Sequence, residues 1–119
     1  MRKHNFKNLE VWKKSRAFVA EIYMVSADFP NDEKFGLISQ IRRAVVSISL
    51  NISEGSGRGT NKDFVRFLDF AYGSALEVEN LIYLCVDLKH LAEEKSIELI
   101  EKVNEIKRMI NGLQDRLSE

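Results

Sequence analysis

The segment 37–58 places the strongest constraint on the fold of this chain, because its pattern predicts a single helix with two different surfaces. Apolar residues recur there at steps of three and four, the spacing of one helix face: Leu37, Ile41, Ala44 or Val45, Ile48 and Ile52. A second row with the same spacing is polar and mostly uncharged: Gln40, Arg43, Ser47, Asn51 and Glu54. Solvated helix faces usually carry Lys and Glu, so this polar row predicts a contact face, for a sister subunit or for a nucleic acid.

Three further segments show helical spacing of their apolar residues. Helices are predicted over about 8–28, 34–54, 61–89 and 93–117, and no segment shows a competing strand pattern. Four helices joined by short connections bury their apolar stripes most simply by packing side by side. The predicted fold is therefore all-α: a single domain over 1–119 that forms an antiparallel up-down-up-down four-helix bundle.

Particular residues mark where the predicted helices begin and end. Asn8 is a candidate N-cap for the first helix, and Pro30 disfavours helical geometry at the residue before it. Gly55 is well placed to end the second helix as a C-terminal glycine. Thr60 and Asp63 resemble a capping box at the start of the third helix.

The composition, 45% hydrophobic and 30% charged, is that of a soluble globular protein. Cys85 is the single cysteine, so the chain has no intrachain disulfide and no zinc-binding cluster. No apolar run approaches the roughly 20 residues that a membrane span needs. These observations predict a cytoplasmic protein that contacts no membrane and holds no metal or other cofactor.

No catalytic constellation is found in the sequence. His4 and His90 lie far apart, and neither has a partner that predicts acid–base chemistry. The chain is therefore predicted to be no enzyme and to have no small-molecule substrate. The larger aromatic residues lie on or beside apolar stripes and are predicted to pack in the core: Trp12, Phe18, Phe64, Phe67, Phe70 and Tyr72.

Charge is distributed unevenly along the chain, although the net charge is zero. The first sixteen residues contain six bases and one acid, a net charge of +5, and Lys13 and Lys14 belong to this basic end. From Glu77 onward ten acids face six bases, a net charge of −4. The basic end predicts either contact with nucleic acid or pairing with the acidic half, within one chain or between subunits.

The turn from Gly55 to Lys62 is rich in glycine and precedes a predicted helix N-terminus. It does not match a phosphate-binding loop, because no lysine follows a glycine before Ser or Thr and no strand precedes it. A tight helix-to-helix turn explains the glycines. Arg58, Lys62 and Arg66 lie close to the turn and are candidates for contacts with nucleic-acid phosphates.

Gly73 interrupts the third predicted helix, where a glycine costs about 1 kcal/mol relative to alanine. Either a bend or a close approach by another helix or subunit explains it, so Gly73 joins the polar row as a candidate interface residue. Glu54 or Glu77 is predicted to pair with Arg42 or Arg43.

Short motifs of this chain resemble the four-helix-bundle family first noticed as reading frames within intervening sequences of bacterial 23S ribosomal RNA. The resemblance covers nearly the whole chain. It is carried by the residues at 8–12, 22–23, 29–30, 36–37, 40–44, 47–48, 51–55, 57–58, 67–68 and 71–77.

The resemblance implies an assembly. Accessory proteins of diversity-generating retroelements resemble this family; they form pentameric barrels and associate with a reverse transcriptase and nucleic acid. Those proteins are expected to be strongly basic, whereas this chain is neutral.

Two hypotheses follow. The first is a non-enzymatic homo-oligomer, a ring or pentamer, that binds RNA or a ribonucleoprotein through Arg42, Arg43, Arg58, Lys62 and the basic N-terminal segment. The second is a protein-interaction scaffold whose polar row packs only against sister subunits or a protein partner, without nucleic acid.

Overall fold

The structure is a computed structural model that describes residues 4–119. Within that range there are four α-helices and no strand: α1 (Glu10–Ser26), α2 (Leu37–Ser56), α3 (Asn61–Asp87) and α4 (Glu93–Leu117). Short 3₁₀ turns at Phe6–Asn8 and Asn31–Glu33 precede α1 and α2. The all-α prediction is confirmed.

Each helix runs antiparallel to its neighbours in a four-membered arrangement. Polar contacts pair an early residue of one helix with a late residue of its neighbour, Arg42 with Tyr23 and Asn61 with Leu117. Nearer the middle of the helices, Lys102 of α4 pairs with Glu21 of α1, and Ser74 of α3 with Ser47 of α2. In the described part of the chain, the diagonal pairs α1/α3 and α2/α4 have no Cα atoms within 8 Å of each other. The topology is therefore up-down-up-down.

The core consists of the apolar stripes of all four helices. The stripe residues predicted on α2 are buried there except Leu37, which is partly buried at the start of the helix. The largest wholly buried side chains elsewhere include Phe64, Leu68, Ile82, Ile106 and Ile110. Burying each such side chain contributes roughly 1.5–3 kcal/mol, so this core is what holds the bundle together.

The observed ends of the helices differ by a few residues from the predicted ones. Asn8 lies within the first 3₁₀ turn, and α1 begins after Leu9, which makes no side-chain capping bond. Asn5 instead caps the 3₁₀ turn, accepting a hydrogen bond from the amide of Lys7 at 3.1 Å. The predicted cap of α3 is present, since the Thr60 hydroxyl accepts the amide of Asp63 at 3.1 Å.

Gly55 lies inside α2 and does not end it. The helix continues through Ser56, and no glycine in residues 4–119 has a positive φ. A Cβ atom on Gly55 would lie 2.7 Å from the Cβ of Phe67 and 2.9 Å from the ring of Phe64. This glycine is therefore required for close packing of α2 against α3, which the backbone-turn interpretation did not anticipate.

The two loops at one end of the bundle are fastened to each other. His90 Nε2 lies 2.9 Å from a carboxylate oxygen of Glu33, and the His90 ring packs against Phe29 at a centroid distance of 5.9 Å. Lys89, beside it, adopts a left-handed conformation with φ 63°. The α1–α2 loop and the α3–α4 loop are thus held together by one polar pair.

Candidate interaction surfaces

Two of the predicted phosphate-binding arginines meet on one carboxylate at the α2–α3 turn. Arg58 Nε donates to Asp63 Oδ2 at 2.9 Å, and Arg66 Nη2 lies 2.8 Å from Asp63 Oδ1. The hydrogen bond from Arg66, helped by the one from Arg58, lowers the pKa of Asp63 below its ordinary value of 3.8. Asp63 therefore fixes both guanidinium groups and neutralises part of their charge.

The same arginines cover aromatic rings. The guanidinium carbon of Arg58 lies 4.7 Å from the centroid of Phe67, and that of Arg66 lies 5.0 Å from it. Phe70 packs edge-on against Phe67 at 5.5 Å and is 47% exposed. Lys62 lies beside this group, exposed and without an ion-pair partner in the described residues. We name Arg58, Lys62, Arg66, Phe67 and Phe70 the turn cluster.

Arg42, another predicted nucleic-acid contact, binds within its own chain. Its Nε donates to the Ser26 hydroxyl at 2.8 Å and its Nη2 to the Tyr23 carbonyl at 3.2 Å. Its guanidinium carbon also lies 4.5 Å from the centroid of the Tyr23 ring. Arg42 therefore ties α2 to the last turns of α1, away from the turn cluster. Arg43 is exposed, with no ion-pair partner among residues 4–119.

The basic end pairs in part with acids of its own chain. Lys13 lies 3.3 Å from Glu10, and Lys14 lies 3.3 Å from Glu105 of α4. Pairing within the chain was one of the predicted alternatives, and for Lys14 it joins the basic end to the acidic half. Arg2 and Lys3, which add to the predicted basic end, lie outside the described residues.

A groove of about 860 Å³ runs between α1 and α4. Glu21 bridges it, accepting from Lys102 at 2.6 Å and Lys95 at 3.3 Å. Burial raises the pKa of Glu21, but the hydrogen bonds from Lys102 and Lys95 outweigh it, and the net shift is downward from 4.5. These ion pairs join α1 to α4 where the groove separates them.

The polar row of α2 divides into two parts. Ser47 and Asn51 are half-buried at the contact with α3: Asn51 Nδ2 donates to the Ser47 hydroxyl at 3.0 Å, and the Ser74 hydroxyl donates to the same oxygen at 2.9 Å. A contact inside the bundle accounts for these two. Gln40 and Glu54 are exposed.

The predicted ion pairs between Glu54 or Glu77 and Arg42 or Arg43 are not formed.

The outward side of α3 is an apolar surface that the sequence interpretation missed. Gly73 lies there within an unbroken helix, and a Cβ built on it would meet no atom within 4 Å. We call the large apolar residues around it, together with Gly73, the α3 face: Phe70, Leu76, Tyr83, Leu84 and Leu88, each between 39% and 54% exposed.

The exposure of Phe70 corrects its assignment to the core. The sequence does hold a signal for this exposure. The apolar residues of the α3 face recur at helical spacing, but they lie on a different side of the helix from the stripe that carries Phe64, Leu68 and Ile82.

Residues 4–119 contain neither a metal site nor a membrane-spanning helix. No group of three or more His, Cys, Asp and Glu side chains in that range is arranged to hold a metal ion. None of the helices there has the length and apolar character needed to cross a bilayer. Cys85 is buried, and burial together with the nearby Glu33 carboxylate raises the pKa of its thiol to about 11.

Comparison with known proteins identifies the family. The model of the family described as 23S rRNA-intervening sequence protein matches residues 7–112, nearly the whole chain. The chain belongs to this family. The predicted resemblance to the 23S rRNA-intervening sequence proteins is thereby confirmed.

One solved structure that resembles this intervening-sequence protein comes from Bacteroides thetaiotaomicron and is described as a protein of unknown function from the S23 ribosomal protein family. The two are 24% identical, the match covers 87% of this chain and 97% of the other, and the TM-score is 0.78. At that identity the match supports the fold alone. No curated protein matches this chain significantly.

Proposed function

We propose that this protein is a non-enzymatic, self-assembling bundle whose α3 face is covered by a further copy of the same chain. The ring of five implied by the family resemblance is one such assembly. The observation that carries the proposal is Gly73 set among exposed apolar side chains; Gly112 of α4 is equally open, but its exposed neighbours are polar. An interior helix glycine costs about 1 kcal/mol relative to alanine, and no atom of residues 4–119 lies within 4 Å of a Cβ built on Gly73 to offset that cost.

The residues around Gly73 support the same interpretation. Phe70 and Leu76 lie on either side of it along the helix and are 47% and 46% exposed. A cluster of exposed large apolar side chains marks an interaction site, and a glycine among them allows a partner helix to approach closely.

The test is the mass of the protein in solution, measured by light scattering over a range of concentrations. We expect a multiple of 13.7 kDa for the wild-type chain. Gly73→Arg should give a monomer with unchanged helicity. Asn111→Arg, on the exposed side of α4, is the matched control and should leave the mass unchanged. A wild-type monomer at every concentration would refute self-assembly.

RNA binding by the turn cluster is a second candidate function. It is favoured by Lys62, which is exposed and unpaired in the described residues, beside two arginines stacked on phenylalanine rings. Arginine, lysine and an exposed aromatic edge together are suited to phosphates and unpaired bases. Of the other predicted bases, Arg43 has no ion-pair partner among residues 4–119, but Lys13, Lys14 and Arg42 have partners in their own chain, which favours the assembly function over this one.

The test for RNA binding is the salt dependence of affinity for total bacterial RNA. Removing one phosphate contact with Lys62→Ala should weaken binding and reduce the slope of log K against log salt by about 1. Arg108→Ala removes an exposed base of α4 and serves as the control. Absence of binding at low salt would leave the scaffold function alone.

A further inference from the structure

The α3 face is acidic as well as apolar. From Phe67 to Leu88 the chain contains no lysine or arginine. Glu77 and Asp87 are exposed and have no ion-pair partner among residues 4–119. A surface that covers this face must therefore tolerate negative charge beside apolar side chains, and a basic surface with small or apolar residues does so best.

The outward side of α1 has this complementary character. Beside the exposed Glu10, which pairs with Lys13, its exposed residues are two bases near the beginning of the helix, followed by small and apolar side chains: Lys13, Arg16, Ala17, Ala20, Tyr23, Met24 and Ala27. Glu21 is the one acid between Val11 and Ala27, and it turns toward α4, where Lys95 and Lys102 bind it. Arg16 is thus the base of this surface that has no ion-pair partner among residues 4–119, and the surface is narrow. We call the seven residues from Lys13 to Ala27 listed above the α1 face.

The other two helices offer no comparable surface. The exposed side of α4 carries charges of both signs, which is typical of a solvated face: Glu93, Glu94, Glu98, Glu101, Lys102, Arg108, Asp115 and Arg116. On α2, Ser47 and Asn51 are already engaged at the contact with α3. Its exposed residues are Gln40, Arg43, Leu50 and Glu54, so a single apolar side chain lies there between a base and an acid. Among surfaces of this chain, the α1 face therefore matches the α3 face best in both charge and side-chain size.

We infer that the α3 face of one copy packs against the α1 face of the next, so that subunits join head to tail. This inference rests on the proposed self-assembly and adds which two surfaces meet. Because α1 and α3 lie diagonally across the bundle, two copies cannot use both contacts at once. A pair joined by one such contact keeps one free α1 face and one free α3 face, so copies continue to add until a ring closes or a fibre grows.

The register between α1 of one copy and α3 of the next is set by pairing opposite charges. In a closed ring all copies point the same way, and α1 and α3 run in the same direction within each copy, so the two helices meet in parallel. With Arg16 opposite Glu77 of the neighbouring copy, Ala27 falls opposite Leu88, because eleven residues separate the members of each pair. The apolar half of each helix then covers the other, and the groove beside α1 leaves space for the larger α3 side chains.

Two blocked variants test this contact by complementation. Glu77→Arg disables the α3 face, and Ala20→Arg disables the α1 face; the new arginines repel each other, so the blocked faces cannot pair. Each variant alone should be monomeric, or should need at least about tenfold higher concentration to assemble. Mixed in equal amounts, they should form a heterodimer and nothing larger, through the one intact face of each. Asp115→Arg, on the exposed side of α4 and outside the groove beside α1, is the control and should assemble like the wild type.

Each outcome has a distinct meaning. A wild-type protein that is monomeric overturns the proposed function and this inference together. A wild-type assembly that survives both arginine substitutions overturns this inference alone, provided that circular dichroism shows both variants folded. Monomeric variants that give no heterodimer on mixing also overturn it, because they indicate a contact in which both copies use the same surface.

Discussion

Gly55 of α2 packs directly against Phe67 of α3, so closely that a methyl group on the glycine would lie 2.7 Å from the Cβ of the phenylalanine. That separation is shorter than any normal contact between carbon atoms. The packing of the two helices at this point therefore depends on a missing side chain, and the ring of Phe67 in turn lies under the guanidinium groups of Arg58 and Arg66.

Gly55→Ala should therefore destabilise the bundle. Forcing a methyl group into this contact displaces Phe67 or Phe64 and should lower the free energy of unfolding by about 1–3 kcal/mol, even though alanine favours the helix. Urea denaturation measures the change. Gly112→Ala is the control, because nothing lies within 4 Å of a Cβ at that position, and it should raise stability by up to about 1 kcal/mol. Equal stability of wild type and Gly55→Ala would disprove the packing argument.

Arg42 and Arg43 are neighbours in sequence with different expected roles. Arg42→Ala removes two hydrogen bonds to the end of α1 and the stacking on Tyr23, and it should reduce stability by about 1–3 kcal/mol. Arg43→Ala removes an exposed side chain with no ion pair in the described residues and should change stability by less than about 0.5 kcal/mol. Thermal or chemical denaturation of both variants distinguishes them; equal effects would contradict the observed contacts.

Glu21→Gln should make stability less dependent on pH. The lowered pKa of Glu21 means that the folded state binds its proton more weakly than the unfolded chain does. The contribution of ionised Glu21 to the stability of the fold is therefore present above the ordinary pKa of 4.5. It is lost as the pH falls through the lower pKa that Glu21 has in the folded protein.

At pH 7 the variant should be less stable by about 1 kcal/mol or less, since the ion pairs are partly exposed. The difference should shrink below pH 4.5. Glu101→Gln, an exposed acid without a pair in residues 4–119, should show no such trend. A constant difference across the acid range would mean that the Lys95 and Lys102 contacts do not hold the charge of Glu21.

Cys85 should be unreactive in the folded protein. Its thiol is buried, and its pKa is raised from 9.0 to about 11, so little thiolate is present or accessible at pH 8. We expect a thiol reagent to label it slowly in buffer and rapidly in denaturant. Because the folded pKa is the higher one, Cys85 should also favour unfolding as the pH rises from 9.0 to about 11. Cys85→Ala should reduce this alkaline loss, and rapid labelling in buffer would show that the site opens.

Much of the fold was predictable because helical spacing is a local property. Residues three and four apart lie on one face of a helix whatever surrounds it, so Ile41, Ile48 and Ile52 were assigned to the core and are buried there. The Thr60 cap on Asp63 was likewise readable, since both partners lie within one turn. The predicted helix ends near Asn8 and Gly55 were less accurate. Asn5 provides a competing cap near Asn8, and Gly55 serves close packing against α3 instead of ending the helix.

The candidate surfaces were only partly predictable. The spacing placed Arg58 and Arg66 near each other, but their shared carboxylate and the ring of Phe67 depend on how the turn closes. Phe70 reads as one more apolar residue in the sequence, and its exposure follows from which side of α3 the other helices cover.

The sequence by itself determined the four helices, their order and the residues of the core, because these follow from the periodicity of apolar residues and from short connections. Only the tertiary structure decided that Ser47 meets Ser74, that Arg42 binds the end of α1, and that the surface around Gly73 is left uncovered. The physical reason is that local spacing sets the direction of a side chain from its own helix axis, whereas packing of the whole core sets the distance and register between helices.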